Sequence, residues 1–289
     1  MKSLASAGLF SFLGLISCAT AAFAQGDAQR GLYLSKAAGC VGCHTQQTKN
    51  PKEAVPYAGG RALKTPFGTF YGPNITPHPT AGIGKWSEAD FIRAMREGKR
   101  PDGANYFPAF PYASFTGMTD ADLRDLWAYL RTLPPSARAS QEHELGLLYR
   151  SRLGVSVWKS LYFEPGPTNV DQKTPVGRGA YLVNSLGHCG ECHTPRTKLG
   201  GMMRDRWLGG TAEGPEGKGV PNITPTRLKK WSDAELRDFL QTGMTSDGDV
   251  TSETMGEVVT NTTSQLTPAD MAALIAYLRS IPPVESEKK

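Results

Sequence analysis

Four cysteines are the residues of this sequence whose type and spacing could do chemistry. They form two pairs, each with two residues between the thiols and a histidine directly after the second thiol. Two thiols at this spacing can bond the two vinyl groups of a porphyrin, and the adjacent histidine can then bind the iron. The pattern predicts two covalently bound haem c groups with iron, attached at Cys40, Cys43, Cys189 and Cys192, with His44 and His193 as metal ligands.

Other uses of paired cysteines explain the pattern less well. Two short disulfides leave the two histidines unexplained, and a thioredoxin-like redox pair needs βαβ surroundings that the sequence does not indicate. A single zinc site would have to join pairs that are 149 residues apart, far beyond usual finger spacing. The fifth cysteine, Cys18, precedes both pairs and lies in the amino-terminal segment that resembles an export signal.

The surroundings of the two motifs recur as well, with a period of about 150 residues. This is longer than a solenoid repeat of 20 to 50 residues and indicates a duplicated domain. In each half, one helix is predicted to begin at the Trp-Ser pair and another to end the domain, because both have cap residues and apolar residues at helical spacing. No segment alternates between apolar and polar residues strongly enough to predict a sheet. The matching segments are 30–34 and 178–182, 73–76 and 221–224, 86–88 and 231–233, and 128–135 and 276–283.

These observations predict an all-α protein with a tandem pair of haem-binding domains, a duplicated fold. The first domain is assigned to residues 25–134, a packed linker to 135–176 and the second domain to 177–289. Helices are expected over 27–38, 87–98, 119–133, 232–243 and 267–280, with a capping box formed by Thr119 and Asp122.

The amino terminus resembles an export signal. Lys2 precedes an apolar stretch, and Ala22-Phe23-Ala24 forms a cleavage site, so residues 1–24 are predicted to be removed and the protein to reach the periplasm. A lipid anchor on Cys18 is the alternative. No later segment approaches the roughly 20 continuous apolar residues that a membrane-spanning helix needs. Without residues 1–24 the formal net charge is +4, which is too small to indicate binding of nucleic acid.

The second haem is expected to take a methionine sulfur as its sixth ligand, because a soft ligand favours ferrous iron. Met255 is the first choice, placed in a loop before the final helix, and Met244 is the weaker candidate. A methionine that fills a gap in the core is the competing interpretation.

The first half departs from this pattern. When the halves are aligned from Trp86 and Trp231, Phe110 stands where Met255 stands. Met118 is therefore predicted as the ligand of the first haem. His78 and an open site are the alternatives, and Met95 aligns with Leu240 as a core residue.

Polar and aromatic residues between these motifs have two interpretations each. Asn74 and Asn222 could bind a haem propionate or fix a turn. The linker aromatics, Tyr149, Trp158, Tyr162 and Phe163, are expected to pack against the domains, and His143 is expected to be a solvated linker residue.

The sequence resembles the diheme and triheme cytochrome c subunits that partner periplasmic dehydrogenases for alcohols, sugar acids and aldehydes. The resemblance is carried by residues 178–182, 187–196, 73–77 and 107–112 and covers nearly the whole mature chain. It implies two tandem class I-like cytochrome c domains, and electron transfer from a dehydrogenase to an oxidase, a reductase or another cytochrome. The chain lacks the third domain of the triheme members, which favours a soluble diheme carrier.

The alternative hypothesis is a haem enzyme of the peroxidase or thiosulfate-oxidising type with one open or unusually ligated haem, which Phe110 motivates. A spare cysteine for the thiosulfate reaction is missing from the mature sequence.

Overall fold

The computed structural model describes residues 26–214, 217–251 and 253–286, and it shows two helical halves joined by a linker. The predicted leader and Cys18 lie outside the described residues. The first half contains helices α1 Ala28–Ala37, α2 Cys40–His44, α3 Glu88–Glu97, α4 Tyr112–Phe115 and α5 Asp120–Leu130, and the linker contains α6 Arg152–Tyr162. The second half contains α7 Pro175–Tyr181, α8 Gly190–His193, α9 Pro225–Leu228, α10 Asp233–Thr242, α11 Glu253–Asn261 and α12 Pro268–Ser280.

The five predicted helices are confirmed, and their ends follow from their cap residues. Ser87 and Ser232 each form a full capping box at the start of α3 and α10. Both helices end at a glycine in the left-handed region, Gly98 at φ 58° and Gly243 at φ 77°. The same local signals therefore build the same helix twice.

The capping box predicted for α5 is only half formed. The Thr119 side chain accepts from the Asp122 amide, as expected. The Asp122 carboxylate instead accepts hydrogen bonds from Arg30 and Tyr181, and so it is directed away from the cap. The helix also ends at Leu130, three residues before the predicted end.

A small antiparallel sheet corrects the expectation of no strands. It consists of β1 Ala62–Thr65, β2 Gly68–Tyr71 and β3 Glu144–Leu145 in that order. The strands have four, four and two residues, too short for an alternating pattern to be detected. Since β3 belongs to the linker, the sheet attaches the linker to the first half.

The core is continuous across the two halves. Helix α1 packs on α5, and the equivalent helix α7 packs on α12. Leu34 and Leu123 of the first half and Leu182 and Met271 of the second belong to one cluster of buried side chains. Because the apolar surfaces of both halves merge, the two halves form one packed body.

The contact between the halves has approximate two-fold symmetry. Tyr33 of α1 donates a hydrogen bond to Asp270 of α12 at 2.5 Å, and Tyr181 of α7 donates one to Asp122 of α5 at 2.5 Å. Tyr33 and Tyr181 are equivalent residues of the repeat, and so are Asp122 and Asp270. The same contact is therefore made once from each half to the other. Such reciprocal contacts characterise an isologous interface, here formed within one chain.

The linker aromatics pack as predicted, and they touch both halves. Phe163 of the linker lies 5.1 Å from the ring of Tyr112 in the first half, and the ring of Tyr162 lies against Gly201 in the second. His143 is exposed, as expected, but its Nδ1 accepts a hydrogen bond from the Tyr71 amide at 3.2 Å. Among the described residues, no helix has the length and apolar character needed to cross a membrane.

Candidate haem sites

Each Cys-x-x-Cys-His segment forms a short helix that ends at its histidine. In α2, His44 Nδ1 donates to the Pro73 carbonyl oxygen at 2.8 Å, and in α8, His193 Nδ1 donates to the Pro221 carbonyl oxygen at 2.8 Å. Burial lowers the pKa of both imidazoles, partly opposed by these hydrogen bonds, which favours the neutral ring. With Nδ1 protonated and held, Nε2 is the nitrogen available to bind iron.

The two asparagines fix the turns that hold these prolines. Asn74 Oδ1 accepts from the Thr76 amide at 2.9 Å and from the Thr76 hydroxyl at 2.7 Å. Asn74 Nδ2 donates to the carbonyl oxygens of Ser136 and Arg138, both at 2.8 Å. Both amide hydrogens are thus bound to protein carbonyls, which supports the turn interpretation over propionate binding. The turn also holds the adjacent carbonyl of Pro73 in place for His44.

Asn222 repeats this arrangement in the second half. Its Oδ1 accepts from the Thr224 amide and hydroxyl, each at 2.7 Å, and its Nδ2 donates to the Val284 carbonyl oxygen at 2.6 Å. In both halves the asparagine connects the proline loop to the segment after the final helix. The histidine of each haem motif is therefore held from the segment that follows the last helix of its half, which is the start of the linker in the first half and the carboxyl-terminal segment in the second.

The donor set fits two haem groups. All four thiols are free in the structure, and each pair lies beside a histidine with an available Nε2. Burial raises the pKa of Cys40 to about 12 and that of Cys189 to about 12. Burial, followed by Glu191 and to a smaller extent Cys43 of the other half, raises the pKa of Cys192 to about 11.

The predicted sixth ligand of the second haem lies in a helix instead of the predicted loop. Met255 is in the first turn of α11, half-buried, and it packs against the core. Met244, the weaker candidate, lies in a turn bridged to Val250 and is 50% exposed. The structure thus gives Met255 the more protected sulfur.

The turns that precede Phe110 and Met255 are equivalent in the two halves. Both residues follow the left-handed glycine, Gly98 or Gly243, by 12 positions, and the same turn hydrogen bonds are present between them. Phe110 packs among aromatic rings, including Phe115 at 5.9 Å. The equivalence therefore extends through the turns as far as Tyr106 and Thr251, and beyond them Phe110 lies in a turn whereas Met255 lies in α11.

Met118 directly precedes the N-cap Thr119, where the second half has Leu266 before Thr267. It is wholly buried in the core, and its carbonyl oxygen accepts from Arg96 at 2.8 Å. Met95 is likewise buried on α3. His78 Nδ1 accepts from the Ala81 amide at 3.0 Å and so stabilises its own turn.

Each attachment segment is covered by the opposite half. Glu257 of α11 forms a 3.0 Å ion pair with Arg61 and also accepts a hydrogen bond from Gln47, both near α2. In return, Ser114 of α4 donates to Glu191 of α8 at 2.8 Å. The segment between the Trp helix and the final helix of one half therefore packs over the haem motif of the other.

The sequence analysis missed several of these residues. The reciprocal tyrosine and aspartate pairs could have been found, because both residues recur at equivalent positions of the repeat. His188 could also have been noted, since it stands directly before a haem motif where the first half has Gly39. Its backbone has φ 41°, and its ring contacts Phe115 of the other half at 5.3 Å.

A family model for cytochrome c matches the chain twice, over residues 28–134 and 176–282. The chain belongs to the cytochrome c family. It is 43% identical to the diheme cytochrome c-type protein of Cereibacter sphaeroides over 90% of this chain and 88% of that protein.

Other relatives are cytochrome subunits of dehydrogenases. The cytochrome is 36% identical to the fructose dehydrogenase cytochrome subunit of Gluconobacter japonicus over 88% of this chain and 52% of that subunit. It is 34% identical to the gluconate 2-dehydrogenase cytochrome c subunit of Pantoea cypripedii over 93% of this chain and 63% of that subunit. This cytochrome thus spans between half and two thirds of those two subunits. The family and its diheme relative show that it carries two covalently bound haem c groups and transfers electrons.

Proposed function

We propose that this cytochrome is exported to the periplasm, accepts electrons from a dehydrogenase and passes them to an oxidase, a reductase or another cytochrome. The observation that carries the proposal is the close packing of two complete haem-binding frames, each covered by the other half. The dehydrogenase subunits among its relatives indicate the class of donor. Residues 1–24 serve as the signal, and residues 25–134 and 177–289 form the domains on either side of the linker.

The haem groups supply one-electron couples between ferric and ferrous iron. In our proposal Cys40, Cys43, Cys189 and Cys192 hold them covalently, so that neither group is lost during repeated electron transfer. His44 and His193 bind the irons through Nε2, and the Pro73 and Pro221 carbonyls orient the two rings.

Methionine sulfurs complete the proposed ligand set. Met255 serves the second haem, and Met118 serves the first. Leucine occupies the Met118 position in the second half, so Met118→Leu keeps the packing and removes only the sulfur. Loss of a methionine-type absorption from one haem supports Met118 as a ligand, whereas an unchanged spectrum excludes it.

The carrier function is tested by mixing the oxidised protein, with two haems per chain confirmed, with a purified alcohol, gluconate or fructose dehydrogenase and its substrate. We expect rapid reduction of both haems that depends on the substrate, followed by reoxidation by an added oxidase or cytochrome. A protein whose haems are reduced no faster with the dehydrogenase than without it would contradict the proposed donor.

A haem enzyme is the second candidate, and Phe110 at the Met255 position favours it. Carbon monoxide binding to the reduced protein distinguishes the two, because it enters an open ferrous site and is resisted by a strongly ligated one. No binding supports two closed haems and a carrier. Binding at one haem, together with peroxide turnover, would support the enzyme.

A further inference from the structure

The helix that carries Met255 is attached to the other half of the molecule by a charged contact. Glu257 of α11 accepts a hydrogen bond from Gln47 and forms an ion pair with Arg61 at 3.0 Å. Gln47 follows the first haem motif by three residues, and Arg61 directly precedes β1. A segment of the second half is therefore held by residues that surround the first haem motif.

The contact continues to the end of the helix. A Cβ atom added to Gly42 would lie 3.6 Å from Asn261 Nδ2, and one added to Gly39 would lie 2.7 Å from Thr262 Oγ1. Both glycines belong to the start of the first haem motif and its N-cap. Helix α11 thus lies against this motif from its middle to its end.

The Arg61 end of the ion pair is firmly held. The Arg61 side chain is 10% exposed and that of Glu257 is 35% exposed, so the pair is screened less by salt than a surface pair would be. The Arg61 carbonyl oxygen accepts from the Gly72 amide at 2.9 Å. The Cys43 carbonyl group leaves no room for a side chain at Gly72. Arg61 is therefore fixed to the backbone of the haem motif.

The two faces of α11 serve the two halves. Glu257 and Asn261 are four residues apart and share the face that contacts the first half. Met255 and Val259 share the opposite face, about 200° around the helix from Glu257. Val259 is 4% exposed and lies beside Gly243, and Met255 packs against the core. Glu257 does not face Met255, so it can act on the sulfur only through the position of the helix.

We propose that Arg61 and Gln47 are positioning residues for the second haem, which hold α11 through Glu257 and so keep the Met255 sulfur at the iron. The proposal rests on Met255 as the sixth ligand of that haem. A soft sulfur suits ferrous iron better than ferric iron, so in the oxidised protein the bond depends most on how firmly the helix is held. The first half thereby takes part in the ligation of the second haem.

The test is an imidazole titration of the oxidised two-haem protein, in which loss of the methionine-type absorption reports displacement of the sulfur. Met255→Ala identifies the part of this absorption that belongs to the second haem. Glu257→Gln keeps the shape of the side chain and removes its charge. We expect displacement at the second haem to need about tenfold less imidazole, and Arg61→Gln to act in the same direction. Ligation is measured because a change of charge also shifts a reduction potential directly.

Two controls make the result specific to this contact. Asp233→Asn removes a negative charge from α10 of the same half, where Asp233 pairs with Arg279 at 2.9 Å. It should need the same imidazole concentration as the parent protein. The exchange Arg61→Glu/Glu257→Arg restores an ion pair of opposite sense and should return the second haem toward the parent value.

Displacement like that of the parent in both Glu257→Gln and Arg61→Gln overturns the proposal, and so does a change that only Glu257→Gln shows. If Arg61→Gln fails to bind two haems, Gln47→Ala takes its place and should also ease displacement. Full methionine-type absorption in Met255→Ala removes the proposed ligand and this proposal with it. Loss of that absorption, together with parent-like Glu257→Gln, overturns the positioning role alone. No dehydrogenase is present, so failure of the proposed donor does not affect the outcome.

Discussion

Both halves of the cytochrome hold the histidine of the haem motif by the same series of contacts. A proline carbonyl accepts from Nδ1 at 2.8 Å, and an asparagine in the next position fixes the turn that carries this proline. The segments in which the sixth ligands are predicted differ, since the first half has Phe110 where the second half has Met255 in the sequence alignment. Duplication has thus preserved the contacts that hold the histidine of each haem motif and has changed side chains in the segment before the final helix.

The difference has a physical reason. Moving the histidine would displace the iron relative to both thioether bonds, whereas a changed sixth ligand or polar neighbour alters the potential without altering attachment. Two domains with unequal tuning can hold their electrons at unequal potentials within one chain.

Replacing Met255 should give the largest effect, because in our proposal the change removes an iron ligand from the second haem and leaves the first haem as it is. We expect Met255→Ala to lower the potential of one haem by at least about 0.1 V, within the ~0.8 V range that axial ligands cover. Spectroelectrochemistry and carbon monoxide binding measure this. Phe110→Ala is the matched change in the first half and should not move either potential by a comparable amount. If the two variants shifted a reduction potential by equal amounts, the difference that we infer between the halves would be wrong.

Loss of the turn asparagines should affect both halves alike. Asn74→Ala and Asn222→Ala each leave buried carbonyl and amide groups unpaired, so we expect each to lower the free energy of unfolding by about 2–3 kcal/mol. Urea unfolding followed by circular dichroism gives the values. The exposed Asn50→Ala serves as the control and should cost less than about 0.5 kcal/mol. A large loss in one half and none in the other would show that the proximal frames are not equivalent.

The reciprocal tyrosine pairs should differ in strength because their burial differs. Tyr181 is 0% exposed, whereas Tyr33 is half-buried. Tyr181→Phe leaves the buried Asp122 with one partner fewer, and we expect a loss of about 2 kcal/mol, against about 1 kcal/mol for Tyr33→Phe. Both values come from the same unfolding measurement. If Tyr33→Phe is the more damaging variant, burial does not govern this interface.

The smallest expected effect is a change in the stability of the protein at acidic pH, caused by Asp270. Burial by itself would raise the pKa of this carboxyl group, but hydrogen bonds from Arg178 and Tyr33 outweigh it and lower the pKa below its ordinary value. The resulting stability is present above the unfolded pKa of about 3.9 and is lost as the pH falls through the lower folded value. Compared with the parent, Asp270→Asn should therefore show a shallower loss of stability below about pH 4. An identical acid profile would contradict the assignment.

Much of the fold was predictable because its signals are local. Serine caps, left-handed glycines and helical spacing lie within a few residues of the structure they specify, and the five helices followed from them. The three short strands did not, because their pairing joins residues 62–71 to the linker and leaves too few positions for an alternating pattern. The helix that contains Met255 was missed as well, since a short segment among turns gives little periodic signal.

The sequence alone determined the chemistry, because covalent attachment needs only two thiols and a histidine at fixed spacing, and the motif occurs twice. It also determined the duplication, through matches that extend far beyond the motifs. Only the tertiary structure decided that each haem motif is covered by the opposite half and that Asp122 serves an interface instead of a cap. These features depend on residues far apart in the chain, and only the packing of the folded halves brings them together.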